Sequence, residues 1–528
     1  MSHSENPTEE TKDAKRNKIE ELKAQQDGLD IWRDIEKWAV TGYDSIPPEK
    51  FDLFKWYGLY RQRPNDGHFM IRIRIPGGKL TAPQAREVAA ISREYGRGTL
   101  DLTVRQNFQI HWLTIDILPE AVRRLQAVGL TTTETCGDTP RNIIGCPLAG
   151  KEKHEIVDAD PVVQAVTRTV VGNRAYSNLP RKFKMSISGC SIHCPLPEIN
   201  DIGLYGAILN NGKGEGRGFN LMAGGGLSTR PYFGKVMNAF VPFHQAEAVC
   251  LAILELFRDR GYRESRKRAR MKFLVDDLGA DAFRAEIVKR LGSDLDPPAE
   301  AKFNPRTFRD HIGVLEQKQP GLFSLGFVTL SGRILPEDLE IAAEIAERFG
   351  SGELANSCMQ NLLVCDVPED RLAEAQNLAS KAPTLTLDTN PLRAGLVVCT
   401  GLQFCNLAVT ESKNRSAEIL AHLEQEAVLD TPIKIAVSGC PNSCSQFQAA
   451  DIGLRGGLTR VGGEPVEAYD ISVGCEMGPE GEMGRLLKKA IPAPQVKEEL
   501  AAMLKNYLKE RQEGETYQQY ARRVLLPA

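Results

Sequence analysis

The chain has 528 residues, of which 26% are charged and 42% hydrophobic, and its formal net charge is −3. These values fit a globular protein of about three domains and give no reason to expect nucleic acid or a membrane surface as a partner. No apolar run reaches the roughly 20 residues that a transmembrane helix needs.

The first 34 residues form a charged, partly helical extension. The segment has no apolar stretch like that of a signal peptide and is too acidic for a transit peptide, which points to the cytoplasm. The rest of the chain is duplicated. Residues 67–107 lie on 321–361 without a gap, matching Gly67 to Gly321, Gly78 to Gly332 and Gln106-Asn107 to Gln360-Asn361. In each copy an alternating strand ("FMIRIRI", "FSLGFVTL") leads through a Gly turn into an amphipathic helix ("APQAREVAAISREYG", "PEDLEIAAEIAERFG"). A second strand follows each helix ("LDLTVRQNFQIHWL", "LANSCMQNLLVCDV"). Farther along, Lys184, Ser188, Gly189, Cys190, Cys194, Asp201 and Gly203 repeat as Lys434, Ser438, Gly439, Cys440, Cys444, Asp451 and Gly453. The pattern predicts α/β halves related by a pseudo-two-fold axis, with a cleft between them.

Twelve cysteines in so long a chain are too sparse for a disulfide scaffold, and their clustering suggests metal ligands. In the second half, Cys399-x5-Cys405 and Cys440-x3-Cys444 could enclose an iron–sulfur cluster. Zinc is the alternative, although structural zinc sites usually carry tight C-x2–4-C pairs on both sides. In the first half Cys146 aligns with Cys405, but Pro140 stands where Cys399 would be. Cys136, Cys146, Cys190 and Cys194 therefore read as buried thiols left from a symmetric ancestor, with a second cluster as the alternative.

The first half has cations where the second is neutral. Arg105 faces Met359, Arg141 faces Thr400 and Lys182 faces Pro432; Lys184 is less telling because its twin is Lys434. Such a set converging on the cleft would suit a small oxyanion. The basic run "RESRKRARMKF" is by default a solvated helix face, and a polycarboxylate cofactor explains it better than nucleic acid does.

Together "CTGLQFC…SGCPNSC", "RQNFQIHW", "RNIIGCPLAG", "NLPRKFK" and "RKRARMKFLVDDLGADAFR" closely resemble the siroheme-containing assimilatory sulfite and nitrite reductases of the single-chain, ferredoxin-dependent branch. The resemblance covers residues 35 to 490 and implies a three-domain α/β fold with siroheme and a [4Fe–4S] cluster in the cleft. It divides the chain into a first ferredoxin-like half at 35–145, a first siroheme-reductase domain at 146–318, a second ferredoxin-like half at 319–390, a [4Fe–4S]-binding domain at 391–490 and a helical tail at 491–528. It assigns Cys399, Cys405, Cys440 and Cys444 to the cluster, with Cys444 bridging to siroheme. It assigns Arg105, Arg141, Lys182 and Lys184 to the substrate, and Arg266, Lys267, Arg268 and Arg270 to siroheme's carboxylates. Gln109 and His111 would lie beside the ring, although a hydrogen-bonded core histidine fits His111 equally well. Lys182-Phe-Lys184 and "QIHW" favour sulfite over nitrite within the family. No flavin or NADPH module is present, so the implied donor is ferredoxin, with a separate flavoprotein as the alternative. A monomer is expected. A non-catalytic Fe–S or zinc protein is the competing class, and it leaves the cations unexplained.

Overall fold

The computed structural model describes residues 17–210, 215–301 and 311–526. Residues 1–16, the first part of the expected N-terminal extension, lie outside the described residues. The described part begins with the helices Lys18–Gln25 and Ile31–Thr41, and the second of these buries Ile31, Ile35 and Trp38.

The two ferredoxin-like halves share one core and exchange strands. The first sheet runs Leu59–Arg61, His68–Ile73, Phe108–Thr114, Leu100–Leu102, and is completed by Arg333–Ile334 from the second half. The second runs Gly313–Glu316, Leu322–Phe327, Leu362–Pro368, Glu353–Asn356, and is completed by Lys79–Thr81 from the first. All these pairings are antiparallel, with Arg333 opposite Asp101 and Leu354 opposite Leu80. Over the sheets, the helices Ala82–Tyr95 and Pro336–Phe349 pack side by side and antiparallel, linked by Arg86–Glu347 and Arg93–Glu340 pairs at 2.6 Å. Apolar residues at helical spacing put Ala85, Val88, Ala89 and Ile91 (i, i+3, i+4, i+6) in one core with Leu339, Ala342, Ala343 and Ala346 (i, i+3, i+4, i+7).

Each of the two segments expected as a single second strand is instead a hairpin. The chain turns at 103–107 because the Thr103 hydroxyl accepts from the Arg105 and Asn107 N–H groups while Gln106 takes a left-handed φ of 60°. Ser357 and Gln360 (φ 66°) repeat the device at 357–361. This side-chain-built turn carries no Gly or Pro that would announce it, and it puts Arg105 at a hairpin tip.

The two other sheets have the same topology. Ile144–Gly145, Met185–Ser188, Ile202–Asn210, Glu215–Ala223 and Lys235–Pro242 form one; Leu396–Val398, Ile435–Ser438, Ile452–Val461, Glu464–Val473 and Arg485–Pro492 form its twin. In both, the first three strands are parallel and the last two antiparallel. The cysteine turns leave the ends of the parallel strands. Helix Val496–Glu510, within the segment expected as a tail, buries Val496, Leu500, Leu504 and Tyr507 in the core of the second unit, as Ala246–Arg260 does in the first. The expected internally duplicated α/β fold is the one observed.

Candidate active site

On one side of the cleft, Cys399 follows Leu396–Val398 directly, and Cys440 and Cys444 follow Ile435–Ser438. Parallel pairing of these two strands brings both turns to one sheet end. The Gly439 N–H donates to Cys399 Sγ at 3.1 Å, Leu407 N–H to Cys405 Sγ at 3.4 Å, and Ser412 Oγ lies 3.5 Å from Cys399 Sγ. A Cβ on Gly439 would stand 2.8 Å from Thr410 O, so only glycine lets the turn approach this closely. Backbone N–H groups aimed at the sulfurs are what a cluster's negative charge requires.

Cys444 alone of the four is exposed. Its charge is felt by the other three thiols and by Arg72 and Lys182 across the cleft, so it stands between the sulfur set and the cations.

The cations come from separate elements. Arg105, at the 103–107 tip, donates to Asn200 Oδ1 at 2.9 Å and to Asn142 O at 2.5 Å. Arg141 donates to Gly137 O at 2.8 Å. Lys182 and Lys184 lead into Met185–Ser188, and the Lys184 N–H donates to Asp201 Oδ2 at 2.8 Å. The same carboxylate takes Arg270 at 2.9 and 3.0 Å. In the twin unit Asp451 accepts from Lys434 N–H, but its side-chain partner is Gln518. The asymmetry seen in the sequence thus extends to Arg270.

Crowding shows in the electrostatics. Burial, then the charges of Arg270, Arg181 and Arg141, bring Lys182 down to about 7. Lys184 is pushed well below its ordinary value by burial, Arg105 and Lys182. Arg105 falls to about 9, chiefly through burial with Arg141 and Arg270 adding to it. The Nε atoms of Arg72, Arg105, Arg141 and Arg270 are buried with no hydrogen-bond partner. Mutually repelling cations with unspent donors suit an anion-rich group, and siroheme with its carboxylates fits that description. Four thiols on the facing wall fit a [4Fe–4S] cube.

The expected residues do not all meet here. Of the basic run, Arg270 reaches the pocket. Arg266 holds Asp138 at 2.8 and 3.1 Å, together with Arg181 at 3.2 Å. Arg268 is exposed and pairs with Asp277 at 2.7 Å, and Lys267 is exposed. Gln109 accepts from Arg72 at 3.2 Å. His111 is buried in a network joining the halves: its Nε2 lies 3.3 Å from Asp101, which also binds Arg333 at 2.8 Å and Lys413 at 3.4 Å. Its ring stacks 3.9 Å from that of Phe404, inside the Cys399–Cys405 turn. Arg72 and Tyr60 were not singled out from the sequence, and Cys136 was singled out only with the first-half thiols. Arg72 donates to Tyr60 OH at 3.0 Å, and Cys136 is brought to about 7 by Arg141, Arg72 and Tyr60 against the upward push of burial. The half-to-half comparison holds the signal, because Arg72 and Arg74 of "FMIRIRI" match Gly326 and Val328.

Of the other first-half thiols, Cys194 Sγ lies 3.4 Å and Cys146 Sγ 3.9 Å from His311 Nε2.

Residues 136–295 and 392–524 match the family model described as "Nitrite and sulphite reductase 4Fe-4S domain", and 60–128 and 315–382 match "Nitrite/Sulfite reductase ferredoxin-like half domain". The chain belongs to the nitrite and sulfite reductase family. It is 36% identical to sulfite reductase [ferredoxin] 2 of Mycolicibacterium paratuberculosis, over 96% of this chain and 95% of that one. It is also 36% identical to ferredoxin–nitrite reductase of Leptolyngbya laminosa, over 93% and 96%. The solved structure of Mycobacterium tuberculosis NirA protein superposes with a TM-score of 0.90 at 34% identity, covering 96% of each chain. The protein is therefore an oxidoreductase of the siroheme and [4Fe–4S] type. Among the described residues no helix is long and apolar enough to cross a membrane.

Proposed function

We propose that this enzyme is a ferredoxin-dependent sulfite reductase, carrying out the six-electron reduction of sulfite to sulfide. Cys399, Cys405, Cys440 and Cys444 would hold the cluster, and Cys444, the exposed one of the four, would also serve siroheme. Arg270 would hold siroheme's carboxylates, and Arg72 with its partner Gln109 would lie beside the macrocycle. When bound, the two groups deliver electrons singly to the anion.

The chain's own contribution is charge and protons. Arg105, Arg141, Lys182 and Lys184 neutralise the anion and hold its oxygens as they take up protons. Lys182, brought to about 7, sits where a proton donor is most effective near neutral pH. Asp201 fixes Arg270 and the Lys184 backbone together, so the two cations keep one spacing.

The observation that carries sulfite is Lys184. Burial, Arg105 and Lys182 disfavour its proton, and a dianion restores it better than a monoanion does. The test is kcat/KM for sulfite and nitrite with the same reduced ferredoxin, in wild type and Lys184→Asn. Sulfite is expected to be preferred, and the variant should move the ratio toward nitrite roughly tenfold. A nitrite preference in wild type would make this a nitrite reductase, and an unmoved ratio would remove Lys184 from specificity. An absorption spectrum without a Soret band and a siroheme red band would sink both. A cytoplasmic monomer is the form proposed.

A further inference from the structure

The turn that carries Cys399 and Cys405 is backed by a charged network, and the matching turn of the first half is not. Asp101, His111 and Lys413 are all buried. Asp101 takes Arg333 at 2.8 Å, Lys413 at 3.4 Å and His111 Nε2 at 3.3 Å. Lys413 Nζ also donates to Ser331 O at 2.6 Å. The network grips the turn at three points. The His111 ring stacks on that of Phe404, and Arg333 donates to Gln403 Oε1 at 2.7 Å. Ser412, the residue before Lys413, places its hydroxyl 3.5 Å from Cys399 Sγ. A Cβ on Gly401 would stand 2.7 Å from Ser412 N, so the turn is seated directly on the start of the helix Lys413–Glu426.

The duplication shows what this place looks like without the charges. Asp101 and His111 match Ala355 and Cys365, which lie in an apolar cluster with Cys146, the counterpart of Cys405. Arg333 matches Lys79, since Arg333 pairs with Asp101 across the exchanged strands and Lys79 pairs with Ala355. The helix matching Lys413–Glu426 is Asp160–Val170; it starts on an acid, and that acid neutralises Lys79 at 3.4 Å. Behind the first-half turn one cation thus meets one acid. Behind the second-half turn two fixed cations and a histidine meet one. Glu411 is occupied elsewhere, because its carboxylate accepts from the Lys413 and Arg415 backbone N–H groups.

We propose, resting on the assignment of Cys399, Cys405, Cys440 and Cys444 to the cluster, that Lys413 with Arg333, Asp101 and His111 sets the cluster's reduction potential. These are positioning residues that do not touch the substrate. One electron arriving from reduced ferredoxin adds one negative charge beside the turn, and no bond is made or broken in that step. A surplus of buried positive charge stabilises the reduced form, and burial leaves little water to screen it. Charge near a cluster and hydrogen bonds to its sulfurs are the means by which a protein tunes such potentials. Apolar packing fills the same place in the first half, so the fold itself does not require a charged network there.

The test is an EPR-monitored reductive titration of the holoenzyme. Lys413→Gln should make the cluster harder to reduce by roughly tenfold in the equilibrium constant, about 59 mV for one electron. Asp101→Asn should make it easier to reduce by a similar factor, and Lys413→Arg should stay near wild type. Arg333→Gln changes a half-buried residue and should shift the potential in the Lys413→Gln direction by a smaller factor; it decides the question if the buried variants fail to fold. The readout involves neither sulfite nor nitrite, so it holds whichever anion the enzyme prefers. Shifts of one sign for Lys413→Gln and Asp101→Asn, or unmoved potentials in variants with full cluster iron, would overturn the proposal. A wild type with no reducible four-iron cluster would overturn the reading beneath it as well.

Discussion

Glu134 is fully buried at the start of the loop that carries Arg141; its carboxylate accepts from Gly172 N–H at 2.8 Å and its carbonyl accepts from Arg74 at 2.7 Å. Burial pushes the carboxyl up to about 7, against the pull of Gly172 and Arg74. A carboxyl raised in the folded state favours folding most below its unfolded value, and that contribution is lost as pH rises through about 7. The swing is about 3 kcal/mol at most. Glu134→Gln keeps the acceptor and removes the titration. Its thermal midpoint should match wild type near pH 5 and exceed it at pH 8; parallel curves across that range would refute the assignment. Arg105 and Arg141 stood out as candidates at this scale because their twins are neutral. His111 was not, since a strand histidine looks the same in sequence whether it faces a cofactor or, as here, a buried aspartate.

The 103–107 and 357–361 hairpins explain why Gln106 and Gln360 repeat. Gln106 Nε2 lies 2.8–3.1 Å from the carbonyls of Gly77, Gly145 and Asn356, and its Oε1 accepts from Gly145 N–H at 2.9 Å. Gln360 does the same with Leu102 O, Val398 O and Val398 N–H. Each amide joins a ferredoxin-like hairpin to the first strand of a siroheme-reductase sheet, which fixes the arginine tip against the pocket. Gln106→Ala leaves buried carbonyls without a donor and should cost about 2–4 kcal/mol. It should also raise KM for the anion, because Arg105 loses its footing; a lowered thermal midpoint with unchanged KM would confine the role to stability. The sequence pattern showed strand, helix and strand in each copy. It hid the turns because a Thr or Ser hydroxyl, not a Gly–Pro signature, closes them.

Over the whole molecule, the duplication and the cleft were visible in residue matches, whereas the strand exchange was not. Lys79–Thr81 and Arg333–Ile334 are too short to show a pattern, and which sheet a strand joins is decided by packing far along the chain. Exchange makes each half's sheet incomplete alone. Residues 1–301 and 315–528 expressed separately should therefore be insoluble or lack cooperative unfolding, and together they should give a cofactor-loaded complex. Independent folding of either piece would show that the exchanged strands are dispensable.

The exchanged strands also bear on how such a molecule could arise. A protein of half this length would present a sheet edge that only a second copy could cover, so it would have existed as a reciprocally interlocked pair with two identical clefts. Joining the copies end to end keeps the interlock but lets a mutation fall on one cleft without falling on the other. Met359 could then stay neutral while Arg105 became charged, and Gln518 could stand where its counterpart is Arg270. Gene fusion, on this view, supplied the freedom to make an asymmetric catalyst from a symmetric scaffold.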